Sequence, residues 1–301
     1  MKANRTATRV SACLFLVLFG GSIFSLHEVD KVRGKEATLE EVLYLPAGKT
    51  IKHLSLGYSS LLADIYWTRA VQYFGGKYSQ QSTRYDLLYP LLDITTDLDP
   101  HLIEAYQSGS VFLSQPPPAG AGQPDKAVAL LEKGIRENPL YWRLYFTLGF
   151  VHYVDRHDPK TAQIAFQKGS EVPGALPWMK IMAARMAERS KDITTSMILW
   201  QAVSETTVDK NVKETSRRHL VSLSADRDIT ELERLVETYR QRSGKQPSSW
   251  IDLIRAGLLK GVPITPYGDP YLLKPGGTVD VGDARKYPYL GEWRNNVERP
   301  F

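Results

Sequence analysis

The spacing of hydrophobic residues changes near position 55 and then keeps one period over most of the chain. From Ser55 onward, apolar side chains recur at intervals of three and four residues, which is the pattern of amphipathic helices. Short stretches containing Pro, Gly or Asn separate successive segments of this kind. The pattern predicts a mostly helical protein from residue 55 to about residue 260.

A second regularity is a pair of residues four positions apart that returns at intervals of 39, 35 and 34 residues. The pairs are Leu88 with Leu92, Ala127 with Leu131, Ala162 with Phe166, and Ser196 with Trp200. In a helix, a small residue lets a neighbouring helix approach closely, and a larger one a turn later fills the gap beside it. Pro100, Pro139 and Pro173 follow the first three pairs and predict helix ends there, because Pro lacks an amide donor. We therefore expect four helical hairpins in series.

The third hairpin carries the most complete motif. Its positions are Tyr145, Leu148, Gly149, His152, Ala162, Phe166 and Pro173. This segment resembles the tetratricopeptide repeat (TPR), and the likeness extends with fewer matched positions over residues 55–210. The resemblance implies an all-α fold, a TPR-like α-solenoid of about four hairpins with an open concave surface that binds other molecules.

Two shorter features complete the helical region. Residues 211–260 predict a helical cap, with amphipathic helices over 212–222 and 229–242 and a short last helix N-capped by Ser248 or Ser249. Within the second hairpin, the stretch 114–124 has four prolines in eleven residues. This composition predicts a stiff turn at one edge of the solenoid.

The last segment, residues 261–301, is rich in Pro, Gly and Tyr and predicts a small irregular or β tail. Its stretch 266–273 predicts a tight turn followed by a strand. Over about ten residues it resembles the Asp-Pro-aromatic-Gly-Asn-Pro-Tyr element of type II secretion pseudopilins, with Thr265 in place of the Asp and Asp269 in place of the Asn. In that family a downstream loop binds calcium. Asp280 and Asp283 lie where such ligands stand, but two carboxylates supply only a fraction of the oxygens that calcium needs, so turn formation is the expected role.

The N-terminus predicts a targeting segment. Three basic residues among the first nine precede the run Val10–Leu26, which has 17 residues and no charge. This length lies between a signal-peptide core and a spanning helix. Residues 1–27 are interpreted as an uncleaved signal anchor, with cleavage as the alternative, and residues 28–54 as a connector. Because the flanking charge is positive before the run and mixed after it, we expect a single-pass protein of the bacterial inner membrane, mostly on the periplasmic side.

Composition and motifs narrow the class of function. The net charge of +5 is spread along the chain and forms no basic stripe, which argues against nucleic-acid binding. Cys13 is the only cysteine, so neither an internal disulfide nor a Cys-based zinc site can form. His152 and His157 are five residues apart, unlike the i, i+4 pairs of helical metal sites, and His152 is expected to be a packed ring. The chain has no nucleophile elbow, phosphate-binding Gly loop or haem-attachment motif, and we predict no enzyme activity, metal, cofactor or small-molecule substrate.

The resemblance also suggests which residues bind a partner, because the first helix of each TPR hairpin lines the concave groove. The positions are Tyr106 and Gln107 in unit two, Arg143, Phe146, Thr147, Phe150, Tyr153 and Val154 in unit three, and Met179 and Lys180 in unit four. Aromatic side chains beside an Arg are typical of binding hot spots. A second interpretation stays open, in which Phe146 and Phe150 form ordinary core between repeats.

These features predict a membrane-anchored TPR scaffold or assembly factor that binds protein partners of a bacterial cell-envelope machine. The pseudopilin-like tail favours a type IV pilus or type II secretion context. One alternative is an accessory subunit or adaptor of another membrane complex, such as a transporter or an electron-transfer assembly. Another is a periplasmic enzyme built on a solenoid scaffold.

Overall fold

The computed structural model describes Gly21 and residues 48–291, and within this part the protein is all-α apart from one short hairpin of strands. The α-helices are α1 (Gly48–Leu54), α2 (Ser59–Ser79), α3 (Leu88–Leu98), α4 (Ile103–Ser114), α5 (Pro124–Glu137), α6 (Trp142–Phe150), α7 (Pro159–Ser170), α8 (Trp178–Arg189), α9 (Ile193–Thr206), α10 (Lys210–Ser243) and α11 (Trp250–Arg255). A π-helical segment, Val151–Asp155, continues α6. The predicted signal anchor lies outside the described residues except for Gly21.

Helices that are neighbours in the chain are also neighbours in space. The pairs α2–α3, α4–α5, α6–α7 and α8–α9 each pack side by side, and α10 packs against α9. Adjacent hairpins also touch: α3 contacts α4 and α5, α6 contacts α4 and α5, and α7 contacts α8. The four predicted hairpins therefore exist as helix pairs within the described part of the chain.

Small residues set the distance between these helices, as the repeat pattern predicts. A Cβ on Gly134 of α5 would lie 2.8 Å from ring atoms of Tyr106 on α4. A Cβ on Gly149 of α6 would lie 2.7 Å from the Phe166 ring on α7. Ala127 and Ala162 have no exposed surface. Since a real side chain needs more room than this, these positions tolerate only small residues where two helices cross.

Aspartate and serine caps fix where several helices begin. Asp158 and Asp192 accept hydrogen bonds from the amides of Thr161 and Thr195, each at 3.0 Å, at the starts of α7 and α9. Ser249 caps α11, and Asp252 closes the reciprocal capping box, which confirms the predicted start of that helix. The proline-rich stretch between α4 and α5 is a turn, held by the Tyr85 hydroxyl donating to the Pro118 carbonyl at 2.7 Å.

The region after the hairpins differs from the prediction in one respect. Two helices were expected over 212–222 and 229–242, but α10 runs without a break through its 34 residues. The stretch between the two expected helices contains neither Gly nor Pro, and Leu223, Ala225 and Asp226 within it are buried. Nothing in this stretch interrupts the backbone hydrogen bonds, and tertiary contacts cover it.

The tail folds back onto α10. A turn closed by the Gly268 amide donating to the Thr265 carbonyl is followed by two antiparallel strands, β1 (Leu272–Leu273) and β2 (Val279–Asp280). A hydrophobic cluster joins this hairpin to α10 and α11. Its buried members are Ala225, Ile229, Leu232, Val236, Trp250, Leu253, Tyr271, Val279, Val281 and Tyr287. Among the helices of residues 48–291, none combines the length and hydrophobicity needed to cross a lipid bilayer.

Candidate protein-binding surface

The predicted groove residues fall into two groups when their exposure is compared. Tyr106 on α4 and Met179 on α8 are fully buried. Tyr106 packs against Gly134, and Met179 packs against Gly169, so both side chains occupy crossings between helices. They belong to the core and present no surface to a partner in this conformation. Gln107 and Lys180, the residues that follow them in sequence, are half-buried.

Thr147 of unit three is buried, whereas Phe146, Phe150 and Tyr153 meet Trp142 and Trp178 in an aromatic cluster, which we define as these five residues. Phe146 lies at its centre, with ring centroids 4.6 Å from Phe150 and 4.9 Å from Trp178, both edge-to-face. Trp142 lies 6.4 Å from Phe146 in a similar orientation. Edge-to-face pairs of this kind are favourable, because the positive ring edge meets the negative ring face. The cluster joins α6 and its π-helical continuation to α8.

Each member of the aromatic cluster is half-buried, which bears on both interpretations of Phe146 and Phe150. Their inner edges contact Phe166 of α7, which is fully buried, at centroid distances of 6.2 and 5.4 Å. Their outer edges reach solvent. The same rings therefore take part in the core and in the surface.

Two arginines border the aromatic cluster. The guanidinium of Arg143 lies 5.3 Å from the ring centroid of Trp142, and that of Arg189 lies 5.1 Å from the ring of Tyr153. Both distances are within the range of cation–π interactions. Arg143 is exposed, and the Val154 side chain next to Tyr153 is 51% exposed. The surface thus combines rigid aromatic area with positive charge and an accessible apolar side chain.

The π-helical segment shapes one end of this surface. The Arg156 amide donates to the Val151 carbonyl at 3.1 Å, five residues back, which widens the last turn of the helix. His152 within it is buried, and its Nδ1 has no hydrogen-bond partner in the described part of the protein. Burial, followed by the nearby Arg156 charge, lowers the pKa of His152. The lowered pKa favours a neutral, packed His152 ring. π-helical turns of this kind often occur near functional sites.

In residues 48–291, no group of three or more His, Cys, Asp or Glu side chains converges in a way that could hold a metal ion. Asp280 and Asp283 in the tail form ion pairs with Lys274 and Arg285 within their own loop. The Asp283 carboxylate also caps the following 3₁₀ turn, through the Arg285 amide at 3.1 Å.

Sequence reasoning missed a buried polar network that joins α8, α9, α10 and the tail. The Glu188 carboxylate accepts from the Trp200 indole at 2.5 Å and lies 2.8 Å from His219 Nδ1. The His219 ring is stacked between Trp200 and Tyr289, with centroid distances of 4.0 and 3.5 Å. The one available signal was Trp200 itself, since a buried indole N–H requires an acceptor. The other members, Glu188, His219 and Tyr289, lie far apart in sequence, so Trp200 alone could not identify them.

Comparison of the chain with protein-family models, with curated proteins and with solved structures found no match.

Proposed function

We propose that this protein is a membrane-anchored TPR-like scaffold or assembly factor, which holds a protein partner of a bacterial cell-envelope machine. The observation that carries the proposal is the aromatic cluster with Arg143 and Arg189, a partly exposed set of binding-type side chains. The partner is expected on the periplasmic side, because the apolar run Val10–Leu26 follows a basic N-terminus.

The order of helix packing supports the solenoid part of the proposal. Four helix pairs follow one another, and neighbouring pairs touch through α3–α5 and α4–α6. In a TPR-like solenoid, such an arrangement places the first helices α2, α4, α6 and α8 on the inner wall. The aromatic cluster lies on two of these helices, α6 and α8, and on the π-helical segment that follows α6. A protein or peptide in the groove would meet its rings edge-on and the arginines at its border.

The tail supports the favoured context, a type IV pilus or type II secretion system. Its turn at residues 265–268 and the short strand that follows have the order of the pseudopilin-like element. In this proposal the tail presents a pilin-type edge to a neighbouring protein, while the solenoid holds the main partner. Recovery of pilus or secretion components as partners tests this part of the proposal.

Affinity capture from solubilised membranes tests the proposal. Tagged wild-type protein should recover pilus or secretion components after crosslinking. The double variant Arg143→Glu, Val154→Glu should reduce this recovery at least about tenfold, because charge reversal at a hot spot typically costs 2 kcal/mol or more. Both side chains are exposed, so the change leaves the core intact.

The matched control is Lys160→Glu, Ile164→Glu on α7, which makes the same change of charge at two exposed positions of a second helix. It should capture partners as well as the wild type does. Equal loss in both variants would mean a non-specific charge effect and would remove the groove assignment. Recovery of transporter or electron-transfer subunits would indicate an adaptor of another membrane complex. Turnover of a cell-wall or lipid substrate with no protein partner would indicate the enzyme alternative.

A further inference from the structure

A second surface, separate from the aromatic cluster, lies where the described chain begins. Leu54, the last residue of α1, is 74% exposed, and Leu56 and Tyr58 in the turn between α1 and α2 are 89% and 68% exposed. Leu61 and Ile65 are exposed on the first turns of α2. Tyr58, Leu61 and Ile65 are spaced at i, i+3 and i+7, so they share one helix face. We call these five residues the α2 apolar patch. A contiguous exposed set of large apolar side chains usually marks an interaction site.

The α2 apolar patch is not an incompletely covered part of the core. The core contacts of α2 lie on its other side, where Ala63 and Ala70 are fully buried. Leu56 has φ of +48°, a left-handed conformation that costs a Leu residue about 1–2 kcal/mol. The strained turn presents the Leu56 side chain to solvent, and at 89% exposure its burial in the described part of the protein offsets little of this cost.

The polar surroundings of the patch fit a lipid headgroup region. Arg69 follows Ile65 by four residues on the same helix face and is exposed, so its charge can reach phosphate groups beside inserted apolar side chains. Tyr58 has an apolar ring with a polar tip, which is the character of side chains at membrane–water interfaces. Asp64 is turned away from Ile65 by about 100° around the helix axis.

The position of the patch along the chain indicates which surface it meets. The patch begins six residues after Gly48, which is the first residue of the described helical region. It therefore lies at the end of this region to which the N-terminal segment connects. The uncharged run Val10–Leu26 ends upstream, and the chain from Leu26 to Gly48, where α1 begins, can span at most about 80 Å. A bilayer that holds this run therefore lies within reach of the patch and is present at high local concentration.

We propose that the α2 apolar patch inserts shallowly into the lipid bilayer beside the anchor and orients the helical region relative to the membrane. This inference rests on the proposed function for the anchor alone and is independent of the protein partner. Side chains of this type reach about 5–10 Å into the boundary between headgroups and acyl chains. The helical region is then attached to the bilayer at two points, the predicted anchor and the patch, which fixes the direction in which the aromatic cluster faces.

Fluorescence quenching in liposomes tests this inference with the full chain. In a Cys13→Ser background, an environment-sensitive dye is attached at Leu56→Cys, or at Leu140→Cys as the matched control, since Leu140 is 74% exposed in the turn between α5 and α6. With spin-labelled phosphatidylcholine in the bilayer, shallow insertion should remove about half of the emission at position 56 and little at position 140. A spin label near the headgroup should quench more than one near the chain end.

A second pair of variants separates the patch from the dye. With the dye at Leu61→Cys, the substitutions Leu56→Ser and Tyr58→Ser should abolish quenching, whereas Leu140→Ser should leave it unchanged. A blue shift at position 56 without lipid quenching would mean that protein covers the patch, either residues 22–47 or a second copy, and would overturn the inference. Equal quenching at 56 and 140, or none at either, would overturn it as well. Failure of the protein to float with liposomes would instead disprove the anchor.

Discussion

At the scale of single residues, the structure shows side chains that serve two purposes. Phe146 and Phe150 contact the buried Phe166 and also reach solvent, while Arg143 beside them is exposed. Tyr106 and Met179, assigned to the groove by the same repeat register, are both buried against glycines. Tyr106 meets Gly134 of its paired helix α5, and Met179 meets Gly169 of α7 in the preceding hairpin. The register predicts which helix a residue occupies. The rotation of that helix decides which of its faces is exposed.

Alanine substitution should separate the two contributions within unit three. Phe150→Ala should lower the free energy of unfolding by about 2 kcal/mol, because a half-buried ring leaves a partial cavity beside Phe166. Arg143→Ala should change it by less than about 0.5 kcal/mol, since the side chain is exposed. Thermal unfolding followed by circular dichroism would measure both. A stable Phe150→Ala variant would mean that the ring contributes nothing to the core, contrary to its contacts.

At the scale of elements, local sequence signals mark the start of several helices. Asp158, Asp192 and Ser249 cap the helices that they precede, and prolines stand at the first position of α5 and α7. The prediction was wrong for α10, because two helices were expected over 212–222 and 229–242 and the structure has one. A helix can continue through a stretch without Gly or Pro when neighbouring elements bury that stretch. Asp226 is an example, because its buried carboxylate accepts a hydrogen bond from the Gly291 amide at 3.0 Å.

Proline substitution tests whether α10 is continuous. Ser224→Pro, near its middle, should cost about 3 kcal/mol or more, because it removes a hydrogen bond and clashes with the preceding turn. Lys210→Pro is the control, since position 210 is the first residue of α10 and Asp209 before it already has an extended backbone. Urea denaturation would compare the two variants. If Ser224→Pro were as stable as the control, α10 would have a natural break.

At the scale of the whole molecule, the tail completes the fold of the last helices. Trp250 donates its indole N–H to the Tyr271 carbonyl at 2.8 Å, and the Tyr271 hydroxyl lies 3.2 Å from the Asp228 carboxylate. Burial and the Asp228 charge raise the pKa of Tyr271, so the hydroxyl stays a donor. Val236 and Leu253 are buried in the hydrophobic cluster that joins the tail to α10 and α11. Removal of residues 261–301 would therefore expose them.

A chain ending at Lys260 should therefore bind a hydrophobic dye such as ANS and melt at a lower temperature than the full chain. The control is Tyr271→Phe, which keeps the apolar cover and loses one hydrogen bond, worth about 1 kcal/mol. It should melt close to the wild type and bind no additional dye. If truncation left the melting temperature unchanged, the tail would be a separate appendage and the contacts with α10 would add no stability.

Local patterns in the sequence determined the helical class, the four hairpins, the caps, the proline-rich turn and the turn-and-strand order of the tail. These features depend on interactions between residues a few positions apart, which a sequence displays directly. Tertiary structure alone decided that Tyr106 faces inward, that α10 is one helix, that Glu188, His219, Trp200 and Tyr289 form one network, and that Leu56 and Tyr58 remain uncovered. Each of these depends on how helices rotate and pack against distant segments, and the free energy of that packing outweighs local preference.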